Sequence, residues 1–153
     1  MRTKGENDET LCCLQAYNMR TGQGLAVALP GKETTEHAVK AVENYLKECG
    51  VLAKCILQTD SESTIKHLTT KLAQRQLGVC LRTTAVGSSA SNGGVERYHR
   101  SVQCLVRTTK HALEAGAPEF TMRAKSDLAT WAVRHAAWVQ DRFQRRTCNG
   151  LTP

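Results

Sequence analysis

Gly87-Ser88-Ser89-Ala90-Ser91-Asn92-Gly93-Gly94-Val95-Glu96 is a Gly/Ser-rich run that feeds straight into a basic amphipathic stretch. Its small residues predict a flexible loop, with Gly87, Ser88, Ser89, Asn92, Gly93 and Gly94 as the members able to move against a substrate. Beyond it the period is helical. At about 100° per residue, Glu96, Arg100, Gln103, Arg107 and Lys110 fall within about 40° of one line, while Val95, Tyr98, Val102, Leu105, Val106 and Leu113 cover the other side. One carboxylate and a row of cations therefore share the solvent-facing stripe. From Glu96 to Lys110 is about 21 Å, long enough to follow about six nucleotides of a strand.

Thirty-six positions before Glu96 lies Asp60, at the end of the apolar run Cys55-Ile56-Leu57, with thirty-five residues between the two acids. Two carboxylates on rigid element ends form a hard-oxygen set suited to Mg²⁺ or Mn²⁺, ions that complete their shells with water and substrate phosphate. Each acid also has a plain structural explanation. Asp60 could be a helix N-cap, with Thr59-x-x-Glu62 as a capping box. Glu96 in a first turn complements the helix dipole and can pair with Arg100 at i,i+4.

The remaining chain supplies an α/β scaffold. Leu11–Tyr17 and Leu25–Leu29 read as two strands joined by the turn residues of 18–24 into a hairpin. Ala38, Val42, Tyr45, Leu46 and Cys49 recur at helical spacing up to Gly50. Cys55–Gln58 is a short strand, Ile65, Leu68, Leu72 and Ala73 mark another helix, and Val79-Cys80-Leu81 is the next strand. Strand–strand–helix–strand–helix–strand–helix predicts a mixed β-sheet flanked by helices. After Gly116-Ala117-Pro118, the residues Leu128, Trp131, Ala132, His135, Trp138, Val139 and Phe143 share one helical stripe, predicted to be core or a docking surface. Such a surface admits a homo-oligomer.

With 153 residues, one domain with a sizeable core is expected. The net charge of +7 and pI near 9.2 favour a polyanionic partner. No apolar run approaches the roughly 20 residues of a membrane span, so no membrane role is expected. Seven cysteines without a Cys-x-x-Cys pair exclude a familiar zinc spacing, and their odd number points to a reducing, intracellular setting. Cys12, Cys55 and Cys80, in or beside strand-like runs, are expected to behave as small buried hydrophobes.

Strand, Thr59-Asp60, helix, strand, Gly/Ser loop and then Ser91-Asn92-Gly93-Gly94-Val95-Glu96-Arg97 resembles the catalytic core of retroviral and retrotransposon integrases. The stretch from Trp131 to Arg142, running on to Leu151-Thr152-Pro153, is similar to the segment after that core in retrotransposon polyproteins. The resemblance implies an RNase H-like fold that binds DNA and performs DNA integration by metal-dependent phosphoryl transfer, in the nucleus. It makes Asp60 and Glu96 the second and third catalytic and metal-binding acids, with Mg²⁺ or Mn²⁺ as cofactor. Arg97, Arg100, Gln103, Arg107 and Lys110 become the nucleic-acid-binding residues.

The first acid of the family's three has no counterpart. Asp8 lies 52 residues before Asp60 but only three before Leu11, which leaves no room for a strand and its turn. The expectation is a core whose first strand is missing: residues 1–10 a flexible start or a remnant of that strand's turn, 11–116 the core-like domain, and 117–153 a helical extension. Such a fragment would bind DNA and be impaired in catalysis. Glu62, where the family has a small residue, is a further carboxylate able to disturb the metal. The alternative is a non-catalytic nucleic-acid-binding or assembly module on the same scaffold.

Overall fold

The computed structural model describes residues 10–51, 54–75, 78–84 and 92–144. All but residue 10 of the 1–10 stretch expected as a flexible start or a turn remnant, the loop members Gly87, Ser88 and Ser89, Cys148 and the terminal 150–153 lie outside the described residues.

The elements come in the expected order. β1 (Cys12–Tyr17) and β2 (Gly24–Leu29) form an antiparallel hairpin in register from Cys12↔Leu29 to Tyr17↔Gly24. Asn18 closes the turn, its Oδ1 accepting from the Arg20 and Thr21 N–H groups at 2.9 and 3.2 Å. α1 (Glu36–Glu48) is next, capped by Thr35, whose hydroxyl accepts the Ala38 N–H. It ends where Gly50, at φ 69°, takes the left-handed conformation that lets its N–H reach Lys47 O and the Val51 N–H reach Leu46 O. β3 (Cys55–Thr59), α2 (Ser63–Arg75) and β4 (Val79–Thr83) form a parallel β–α–β unit. Two long helices complete the fold, α3 (Gly93–Gly116) and α4 (Asp127–Phe143).

Side-chain alternation along the hairpin builds two cores. Leu14, Val27 and Leu29 face α1 and α2, where Val39, Val42, Tyr45, Leu46, Leu68 and Leu72 enclose them. Cys13, Tyr17 and Ala26 face the opposite layer, against Tyr98 and Val102 of α3 and Val133, Ala136 and Ala137 of α4. That is the period of two expected of a sheet covered on both faces. Among the described residues the mixed ladder is divided into an antiparallel pair, β1–β2, and a parallel pair, β3–β4. Cys55 and Leu57 of β3 pack on the same core as Leu14. β4 is the outer strand, and Cys80 is exposed there rather than buried as expected; Cys12 and Cys55 are partly covered.

α4 bears on the stripe expected to be core or a docking surface. Its buried face is Ala129, Ala132, Val133, Ala136, Ala137 and Gln140, because only small side chains let it lie close on β2 and α3. The large aromatics point outward: Trp131 is 49% exposed, Trp138 45% and Phe143 68%. They stack along the helix, Trp131 on His135 at 4.6 Å and His135 on Trp138 at 5.8 Å, with the Arg142 guanidinium 4.7 Å over the Trp138 ring. The stripe is divided between the two readings: Ala132 is core with Leu128 packed against the same cluster, while Trp131, Trp138 and Phe143 are surface. Leu113 of α3, expected on the covered side, is likewise 37% exposed, beyond the reach of α4.

α4 is also pinned to the hairpin by a carboxylate. Asp141 Oδ1 accepts the Gly24 N–H at 2.9 Å. Burial pushes its pKa up to about 6, against the pull of the Gly24 N–H and Arg142 and with Glu48 adding to the rise. A folded-state value above the ordinary 3.8 means that the fold favours the protonated acid, so stability falls as pH rises from 3.8 to about 6. Asp141→Asn keeps an acceptor for Gly24 and removes the buried charge. It is expected to raise stability above pH 6 by about 1 kcal/mol, after discounting for solvent screening, and to flatten the pH dependence of urea unfolding below it. An unchanged profile would contradict this assignment.

Candidate nucleic-acid interface and carboxylate pair

The start of α3 is fixed to the ends of both parallel strands. The Thr84 N–H extends the ladder by donating to Thr59 O at 2.8 Å, so β3 and β4 finish side by side. Asn92, the residue preceding α3, places its Oδ1 at this junction, accepting from Thr84 Oγ1 at 3.1 Å and from Gln58 Nε2 at 3.3 Å. Asn92 does not cap its own helix with that side chain. It clasps the helix to the sheet instead. Asn92, Gly93 and Gly94, expected as mobile loop, are therefore the junction and first turn of α3.

This clasp starts Asp60 and Glu96 from one corner. Asp60 lies two residues past Gln58, and Glu96 one helical turn past Asn92; both are exposed. Asp60 does not cap α2, which begins at Ser63. Its Oδ1 accepts the Glu62 N–H at 3.2 Å, a short side-chain turn. The Glu62 carboxylate is drawn toward Lys32, 3.5 Å away. Among the described residues no group of three or more His, Cys, Asp or Glu side chains gathers around a common point. Exposed carboxylates such as these are the hard-oxygen donors that divalent ions take together with water and phosphate. They do not make a three-acid set.

The far face of α3 is buried through Tyr98 and Val102, with Leu105 and Val106 partly covered. Glu96, Arg97, Arg100, Gln103, Arg107 and Lys110 all lie on the exposed side. Arg97, Arg100 and Arg107 have no ion pair among the described residues, so their charge is available to a polyanion. Lys110 differs, since Glu114 sits 3.7 Å from its Nζ.

Sequence reasoning missed two residues behind this face. His99 Nδ1 lies 2.7 Å from Gln15 Oε1 on β1, and His99 Nε2 lies 2.8 Å from Gln103 Nε2. The i,i+4 spacing of His99 and Gln103 was a readable signal; the part of Gln15 depends on which strand α3 crosses, which local pattern does not report.

No family model and no curated protein matches the chain. Its backbone nonetheless superimposes on the HTLV-2 integrase catalytic core domain, solved in complex with magnesium in a trimeric form, with a TM-score of 0.64. That match covers 98% of this chain and 87% of the other at 12% identity. This is an integrase catalytic-core fold. A second match is the simian T-cell lymphotropic virus intasome in complex with a PP2A regulatory subunit, B56 gamma, at TM-score 0.56 and 17% identity. There the chain spans 94% of itself but about half, 51%, of the matched chain. At these identities the likeness is one of fold. The integrase-core fold accounts for the mixed α/β, RNase H-like arrangement in which small sheets are flanked by four helices. No described helix is long and apolar enough to cross a membrane.

Proposed function

We propose that this chain is a retrotransposon-type integrase-core module that binds duplex DNA along α3 and is impaired in phosphoryl transfer. The observation that carries the proposal is the Asn92 clasp, which ties the head of a basic helix to the strand ends that present Asp60. Arg97, Arg100 and Arg107 neutralise backbone phosphates, and the rigid helix keeps them in line along the duplex. Asp60 and Glu96 would hold Mg²⁺ or Mn²⁺ at the head of that line. Bound there, the ion would supply charge neutralisation at a scissile phosphate. Magnesium in the structurally similar HTLV-2 core supports this choice of ion. Impairment is inferred from the donor count among the described residues, because two-ion chemistry needs more carboxylate than this pair provides.

The test is duplex binding across a salt series, followed by incubation with Mg²⁺ and an end-labelled oligonucleotide duplex. Salt-sensitive binding without nicking is expected. Mg²⁺-dependent nicking that Glu96→Gln abolishes would overturn the impairment, and absence of duplex binding would overturn the module.

A second reading, a non-catalytic binding or assembly module, is favoured by one contact: Asp60 spends an oxygen on the Glu62 N–H. The exposed stack of Trp131, His135, Trp138 and Phe143 supports association of copies in either case. Trp131→Ala with Trp138→Ala should shift sedimentation toward monomer if that face joins copies. Unchanged sedimentation of a self-associating wild type would exclude it.

A further inference from the structure

Behind the α3 face a chain of hydrogen bonds runs from the half-buried Cys13 thiol to the surface, and its polarity is set at that inner end. Cys13 Sγ sits 3.8 Å from Leu14 O, the direction in which an S–H donates. Burial pushes the Cys13 thiol up, so it keeps the hydrogen to donate. With that hydrogen spent, the sulfur accepts from Gln15 Nε2 at 3.7 Å. The Gln15 amide is thereby oriented with Oε1 toward His99, 2.7 Å from Nδ1. A carbonyl oxygen there requires Nδ1 to carry the proton, which leaves Nε2 of the neutral ring as an acceptor. Gln103 answers by donating from Nε2 at 2.8 Å.

The consequence lies at the exposed end. Gln103 is one of the α3 residues facing outward, and its amide nitrogen is engaged by the histidine. One N–H of that nitrogen is spent there, which leaves Oε1 as an acceptor and the second N–H as a donor. A phosphate oxygen could use only that N–H, whereas a base edge that sets an amino group beside an acceptor could use both the N–H and Oε1. Base edges do offer donors: the amino groups of adenine and cytosine in the major groove and of guanine in the minor groove.

We propose that Gln15 and His99 are positioning residues that hold Gln103 with its carbonyl oxygen outward, so that Gln103 selects a base amino group while the flanking arginines take phosphates. The proposal rests on the DNA-binding reading of α3 and adds sequence preference to it. The polarity of the relay is separately testable.

Two measurements decide it. Long-range ¹H–¹⁵N NMR of the imidazole of His99, on the free chain at mildly alkaline pH, should show the Nδ1–H tautomer in wild type. Gln15→Glu, which keeps an acceptor for Nδ1–H, should preserve it, and Gln15→Leu should lose it. An Nε2–H tautomer in wild type overturns the proposal regardless of DNA. The second measurement compares duplexes in which inosine replaces guanine, purine replaces adenine, or 2-pyrimidinone replaces cytosine, each deleting one amino group. Wild type should lose roughly 3- to 10-fold in affinity on one of them, the scale of a neutral hydrogen bond. Gln103→Ala and Gln15→Leu should be insensitive to that replacement, with Gln15→Glu restoring the difference. If Gln103→Ala instead weakens all duplexes equally, Gln103 contacts phosphate and the proposal falls while DNA binding stands. If wild type binds no duplex, the DNA reading falls and takes the base preference with it.

Discussion

Replacing Arg100 and Arg107 together by alanine is expected to lower duplex DNA affinity by about 30- to 100-fold at low salt. It should also reduce the slope of log affinity against log salt by roughly 1.8, two phosphate contacts at about 0.9 each. Both guanidinium groups are exposed on one side of α3 and neither is neutralised by a carboxylate among the described residues, so each displaces a counterion when DNA binds. Lys110→Ala should cost less, because Lys110 already shares its charge with Glu114 at 3.7 Å. The effect should be the same for all sequences, as befits contacts that position the duplex without reading it. Fluorescence anisotropy with one labelled duplex over a salt series checks both numbers. A double variant that binds within threefold of wild type would move the nucleic-acid face off α3.

The largest stability effect is expected at Gly24. A Cβ built there would lie inside the ring of Tyr98, which is only 2% exposed and cannot swing away. The same residue donates its N–H to Asp141, so any shift of β2 also loosens α4. Gly24→Ala should therefore cost about 3 kcal/mol, and lower the melting temperature by roughly 6–12 °C for a chain of this size. Tyr98→Phe is the control. The Tyr98 hydroxyl is buried with no hydrogen-bond partner among the described residues, so removing it should be neutral or slightly stabilising. Gly24→Ala within about 0.5 kcal/mol of wild type would mean that the hairpin yields where α3 crosses it.

The elements of this fold could be read locally because their signals are local. The hairpin carries turn residues between two apolar runs, α1 ends at a glycine that takes a positive φ, and the thirty-five residues from Asp60 to Glu96 hold one helix and one strand in the order found. The same holds for the stripe from Glu96 to Lys110, whose helical period sets its exposed side without knowledge of what covers the other. What could not be read depends on distance in space. Periodicity puts Trp131, Ala132 and Trp138 on one stripe, yet only the alanine of the three is buried. The Gly93-Gly94 pair looks like loop until Asn92 is seen held by Gln58 and Thr84, thirty-four and eight residues away in sequence. Gln15 belongs to the α3 face only because β1 passes beneath it.

Convergence of Asp60 and Glu96 on one cation, at the head of the basic face, is the claim on which the functional proposal depends. Substoichiometric Mn²⁺ added to ¹⁵N-labelled protein tests it most directly, because paramagnetic broadening falls steeply with distance from the ion. The amides of Asp60, Ser61, Glu96 and Arg97 should broaden first and together, and Glu96→Gln should remove the effect at Asp60 as well as at its own position. Broadening centred on Glu33, Glu119 or Asp127, or broadening at Asp60 that survives Glu96→Gln, would contradict a shared site.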